Sequence, residues 1–128
     1  MIYMDNAATT RLSSRALEAM MPYLTEQYAN PAGTYSFTNA SNAAMEKARK
    51  QVADVIGAKS AEIFFTSGGT ESDNWALKGV MRANEKKGRH LIISAIEHHA
   101  ILHSAKALER EGFDVTVLSV DADGVVAP

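Results

Sequence analysis

The sequence predicts an α/β fold, an incomplete doubly wound, mainly parallel sheet with flanking helices. Three observations predict it. From residue 62 onward, apolar runs of strand length alternate with amphipathic stretches in the order βαβαβ, joined by short connections. One connection, Ser67-Gly68-Gly69-Thr70, is a glycine turn leading from an apolar run straight into a helix. The composition, 128 residues with 46% hydrophobic, 22% charged and a net charge of −2, is that of an ordinary soluble globular domain.

That composition also excludes function classes. A near-neutral balance without Lys/Arg clusters gives no electrostatic footprint for nucleic acid or an anionic membrane surface. The chain has no cysteine, so disulfides, thiolate zinc sites and a cysteine nucleophile are ruled out within it, and a reducing compartment fits. The N-terminus MIYMDNAATT lacks a basic region and an apolar region, and no run reaches transmembrane length. A cytoplasmic location is expected.

Residues 2–4 are expected to form a short strand, with Asp5-Asn6 turning the chain into small residues. Ser13 or Ser14 caps a helix whose Leu17, Met20, Met21, Leu24 and Tyr28 share a face. Pro22 is expected to kink it or split it in two. Asn30-Pro31-Ala32-Gly33 reads as loop, and the stretch to Asn39 as irregular. A second helix from about Ser41 places Met45, Ala48, Val52, Val55 and Ile56 on one face and stops at Gly57.

The first main strand is expected at 62–66. Behind the glycine turn a helix carries Trp75, Ala76, Leu77, Val80 and Met81, with Trp75 expected in the core, and ends at Lys86-Lys87-Gly88. Leu91-Ile92-Ile93 is the next strand, a helix runs from about His98 to Glu111, Val115–Leu118 is a third strand, and 121–124 is a turn.

In parallel sheets, ligands sit outside the carboxyl ends of the strands. The glycine turn and Glu97-His98-His99 both follow strands and should share that edge. A strand-to-helix glycine turn aims unpaired N–H groups and the positive helix end at one spot, which suits a phosphate, and Thr70 adds a hydroxyl. The same segment also reads as an ordinary βα connection. His98 at a helix N-terminus, where the dipole disfavours an imidazolium, suits stacking on a planar cofactor or passing a proton, or else simply caps the helix. His99 and His103 lie four apart but lack a third ligand, so no metal site is expected. Glu71 and Asp73 read as servants of the helix N-terminus, Asp5 and Asn6 as turn formers or site residues, and His90 has no evident partner.

Four separated motifs then occur in order: YMDNAATT at 3–10, NPAG at 30–33, FTSGGTESDNWALKG at 65–79, and IEHHAIL at 96–102 followed by LEREGFDVTVLSVDADGVV at 108–126. They resemble the first third of a cysteine desulfurase, the NifS-like branch of the class V, fold-type I enzymes that use pyridoxal 5′-phosphate (PLP). The resemblance implies that residues 41–128 are the first part of the large PLP-binding domain. Residues 1–40 would be an N-terminal arm and helix near the active-site mouth, with no true domain boundary between the two. It implies that Gly69 and Thr70 hold the PLP phosphate, that His98 stacks on the pyridine ring and takes part in proton transfer, and that DNAATT and Asn30 line or support the mouth. The implied activity converts L-cysteine to L-alanine and passes the sulfur to an enzyme cysteine for iron–sulfur cluster or other sulfur pathways. A homodimer and a sulfur-acceptor protein are implied partners.

The family's Ser-x-His-Lys motif, with the lysine that binds PLP covalently, does not occur here, nor does the sulfur-accepting cysteine. Ala32-Gly33 and Thr38-Asn39-Ala40 also depart from the usual loop wording. The 128 residues alone are therefore expected not to desulfurate cysteine, and an open sheet edge is expected to drive self-association. The alternatives are a related class V aminotransferase or selenocysteine lyase, or a non-catalytic binding or assembly module of the same fold.

Overall fold

The computed structural model describes residues 2–126 and divides into two compact units, Met1–Phe64 and Phe65–Pro128. In the first unit, helix α1 spans Ser14–Thr25 and helix α2 spans Asn39–Ile56. Ser13 caps α1 as its residue type demands, its Oγ accepting from the Ala16 N–H at 3.1 Å. The split into two helices allowed for at Pro22 does not occur. α1 is one helix with Pro22 inside, because the proline lies in the last turns and its own carbonyl closes the helix by accepting from Glu26 and Gln27. The 34–38 stretch is more ordered than its polarity suggests, with a 3-10 turn at Ser36–Thr38 running directly into α2.

Thr38 explains the local sequence. It is 1% exposed, and its hydroxyl lies 2.9 Å from the Gly33 carbonyl and 2.7 Å from that of Tyr35. A Cβ on Gly33 would meet the Thr38 methyl at 2.5 Å, so only glycine fits there. Asn42 Nδ2 donates to the Pro31 carbonyl at 3.2 Å, and Ser41 Oγ to that of Gln27 at 2.8 Å, which ties the Asn30–Gly33 loop to α2. α2 ends at Gly57 with φ 70°, the left-handed stop read from the sequence. No strand forms at 2–4, where the chain instead turns through Ala8 N–H to the Asp5 carbonyl.

The second unit contains helix α3, Gly69–Ala83; strand β1, His90–Ser94; helix α4, His99–Arg110; and strand β2, Asp114–Leu118. β1 and β2 pair in parallel with His90 opposite Asp114 and Ser94 opposite Leu118. α3 and α4 pack together, and the core is Met81, Leu108 and Phe113 with Leu77 and Leu91 against it. Leu108 is completely buried.

Three expectations are corrected here. The segment 62–66 is no strand: Ser60–Glu62 is a 3-10 turn, and 63–66 runs on without a ladder. Its residue types favour extended backbone, but a strand exists only where a neighbour supplies hydrogen bonds, and among the described residues none does. Trp75 is not core but 53% exposed, because α3 turns Leu77 and Met81 towards α4 and leaves Trp75 and Val80 on its other side. His90 does have a partner, Thr116 Oγ1 at 2.7 Å across the strand pair.

Candidate functional site

α3 starts without a cap. Gly68 makes no side-chain bond, and the first amide with a partner is that of Ser72, donating to the Gly68 carbonyl at 3.2 Å. Among the described residues, the N–H groups of Gly69, Thr70 and Glu71 therefore have no partner, at the positive end of the helix. The Thr70 hydroxyl also has no partner among the described residues. The glycines leave room in front of these donors: a Cβ on Gly68 or on Gly69 would touch nothing within 4 Å. Neither glycine has a left-handed φ. Neither local strain nor packing within the chain thus requires a glycine at either position. The donor set and the open space suit a phosphate.

Side chains on either flank shape the turn. Glu71 folds back so that its Oε2 accepts from the Ser67 N–H at 2.6 Å and from the Ser67 hydroxyl at 2.8 Å. These bonds, the backbone one first, hold its carboxyl below the usual range. The Thr66 hydroxyl lies 2.7 Å from that of Ser72 and donates to the Gly68 carbonyl at 3.1 Å. Sequence reading gave Glu71 to the helix end but missed the clasp, for which the spacing of four between Ser67 and Glu71 was the signal. It also missed the groove of about 570 Å³ along α3, lined by Thr70, Glu71, Trp75 and Lys78 among others.

His98 is the N-cap of α4. Its Nδ1 accepts from the Ala100 N–H at 3.1 Å. An accepting nitrogen carries no proton, so the ring proton sits on Nε2, on an exposed ring held by its other edge. Just before it, Ser94 donates to Glu97 at 2.9 Å, and Ala95 N–H continues the strand pairing to the Leu118 carbonyl. His99 and His103 stack at 5.8 Å, and no set of three metal-ligating side chains occurs among the described residues.

The path of the chain relates the two elements. α3 returns through residues 84–89 to the start of β1, and α4 through 111–113 to the start of β2, so each helix runs opposite to the strand it precedes. The C-terminal ends are tied by Arg82, whose Nη2 is 2.7 Å and whose Nε is 3.1 Å from the two Glu111 oxygens. Both helix N-termini therefore lie at the carboxyl end of the strands, and the Gly69–Thr70 turn and His98 share that end. Asp5 and Asn30 belong to the other unit, where each serves its own turn: the Asp5 carbonyl accepts from Ala8, and Asn30 Oδ1 accepts from the Ala32 N–H at 3.0 Å.

The sequence profile of the Aminotransferase class-V family matches residues 2–128. Cysteine desulfurase IscS of Methanosarcina thermophila is 54% identical over 127 residues, which are 99% of this chain and 31% of that protein. Among solved structures, a NifS-like protein aligns with a TM-score of 0.91 at 46% identity, covering 98% of this chain and 35% of that one. A structure described as SspA in complex with cysteine aligns at 0.89 and 38%, with coverages of 98% and 36%. The chain thus spans about a third of the length of the relatives it matches.

Proposed function

The chain belongs to the class V aminotransferase family, and on that premise we propose that it provides the phosphate-holding and ring-stacking part of a PLP-dependent cysteine desulfurase. The observation that carries this reading is the start of α3, where unclaimed amides and the Thr70 hydroxyl face a space that two glycines keep open. PLP, when bound, supplies the electron sink that lets bonds at the α-carbon of an amino acid break.

The residues of this chain bind and orient. Gly69 and Thr70 hold the phosphate with backbone N–H groups and one hydroxyl, assisted by the helix dipole. His98 would stack on the pyridine ring, and its Nε2 would hold or pass a proton while the Ala100 N–H keeps the other nitrogen an acceptor. The substrate is L-cysteine and the products are L-alanine and a protein-bound sulfur for iron–sulfur cluster or related pathways, passed on to an acceptor protein. Support for cysteine comes from the IscS relatives and from the cysteine-bound structural neighbour. The sulfur-accepting thiol is not among these 128 residues, which include no cysteine. A second copy of the chain is the further partner in this reading, supported by apolar side chains such as Ile92 and Val117 that remain exposed on the sheet.

Trp75 is the only tryptophan and sits one to two turns along α3 from Thr70, so its fluorescence reports ligand at the start of the helix. Replacing Thr70 with Ala is expected to weaken PLP binding about tenfold, the cost of one hydrogen bond to a charged group. Unchanged PLP affinity in Thr70→Ala would contradict the assignment.

A further inference from the structure

The phosphate donors can be effective only if the turn before α3 holds its shape, and nothing in its backbone enforces that. Gly68 and Gly69 are the most permissive residues available, and no residue caps the helix from the Gly68 position. The shape is held by side chains on both flanks, Thr66 through the Gly68 carbonyl and the Ser72 hydroxyl, and Glu71. Its single Oε2 accepts two hydrogen bonds from Ser67, at 2.6 Å from the amide and 2.8 Å from the hydroxyl, and so closes the loop across both glycines. The same contact brings a cost. A carboxylate one residue after Thr70 repels a phosphate at the neighbouring amides, so charge alone would select against an acid here. Its presence makes sense if the geometry it imposes outweighs that repulsion, and the two Ser67 donors partly neutralise it.

We infer that Glu71 is a positioning residue for the phosphate of the cofactor, acting through Ser67 to fix the Gly68-Gly69 turn, with its negative charge a tolerated cost and not the source of its effect. This rests on the reading of α3 as the phosphate-holding element. Hydrogen-bond acceptance is then what position 71 needs, and a neutral acceptor serves as well as the acid.

The test is titration of the protein with PLP and, separately, with pyridoxal, which lacks the phosphate, following Trp75 fluorescence. Glu71→Ala is expected to weaken PLP about tenfold and leave pyridoxal within about twofold, whereas Glu71→Gln keeps the acceptor and binds PLP at least as tightly as the unaltered protein. Ser67→Ala, which removes only the hydroxyl bond and spares the fold, is expected to show a smaller loss confined to PLP. PLP affinity unchanged in both Glu71→Ala and Ser67→Ala overturns the inference. So does a loss shared equally by pyridoxal, or a Glu71→Gln as weak as Glu71→Ala. Thr70→Ala is run in parallel: if it too leaves PLP binding intact, the phosphate reading itself has failed, and if it weakens PLP while the Glu71 variants do not, only the role of Glu71 has.

Discussion

His98 carries two duties on one ring, and they can be separated by choice of substitution. Asn at an N-cap accepts from the following amides as well as any residue does, so His98→Asn retains the helix start while removing the ring and its Nε2 proton. In a full-length, PLP-loaded enzyme carrying this segment, alanine formation from cysteine is expected to fall about 10²-fold or more, the usual worth of a general acid–base group, with the thermal midpoint unmoved. A variant equally active, or one whose loss tracks its loss of stability, would show that His98 is a cap alone. Glu71 gives a prediction in pH. Its folded-state pKa is lowered by the Ser67 bonds, so its contribution to stability is present above its unfolded pKa and is lost as pH falls through the lower, folded value. Nuclear magnetic resonance titration of the Glu71 carboxyl is expected to show that low midpoint, and Ser67→Ala to raise it. A midpoint at the ordinary glutamate value would mean the clasp does not form in solution. The places of Gly69 and Thr70 at the start of a helix and of His98 at a helix N-terminus were legible in the sequence because spacing and capping arguments act within a few residues. The clasp was not, because residue type says which groups can hydrogen-bond, whereas rotamers decide which do.

Among the elements, α4 is the most completely determined. Its extent from about His98 to Glu111 and its histidine cap read from the sequence, and the helix runs His99–Arg110. Gly112, with φ 89°, is followed by Phe113, over whose ring the Arg89 guanidinium lies at 4.5 Å while its Nη2 donates to the Gly112 carbonyl at 3.0 Å. That bracket joins the starts of β1 and β2. The core it closes depends on Leu108, so Leu108→Ala is expected to destabilise by about 2–5 kcal/mol. The urea midpoint checks this, and a shift worth less than about 1 kcal/mol would mean the Met81–Leu108–Phe113 cluster is not the centre of stability. α1 and α3 were less legible. Periodicity marks an apolar face, but α1 buries none of its residues and α3 buries only Met81. Amphipathic patterning shows that a face is apolar without saying what covers it. The run at 62–66 failed for the same reason, since a strand is defined by a partner that the local sequence does not name.

At the scale of the molecule, the α/β class and the parallel pairing of β1 with β2 across α4 followed from alternation alone, since a parallel pair requires a crossover of helix length. No helix among the described residues is long and apolar enough to cross a membrane. What the fold achieves is convergence: two helices, each running against the strand it precedes, bring their positive ends to one edge, and that edge carries Gly69, Thr70 and His98. The central claim is that this edge recognises a phosphorylated pyridine, with the phosphate supplying most of the recognition. The most direct test compares the Kd of the unaltered protein for PLP with that for pyridoxal under identical salt. With several charge-assisted bonds from the start of α3, each worth about 1.5–3 kcal/mol, PLP is expected to bind at least about a hundredfold more tightly. Equal affinities for the two would contradict the claim.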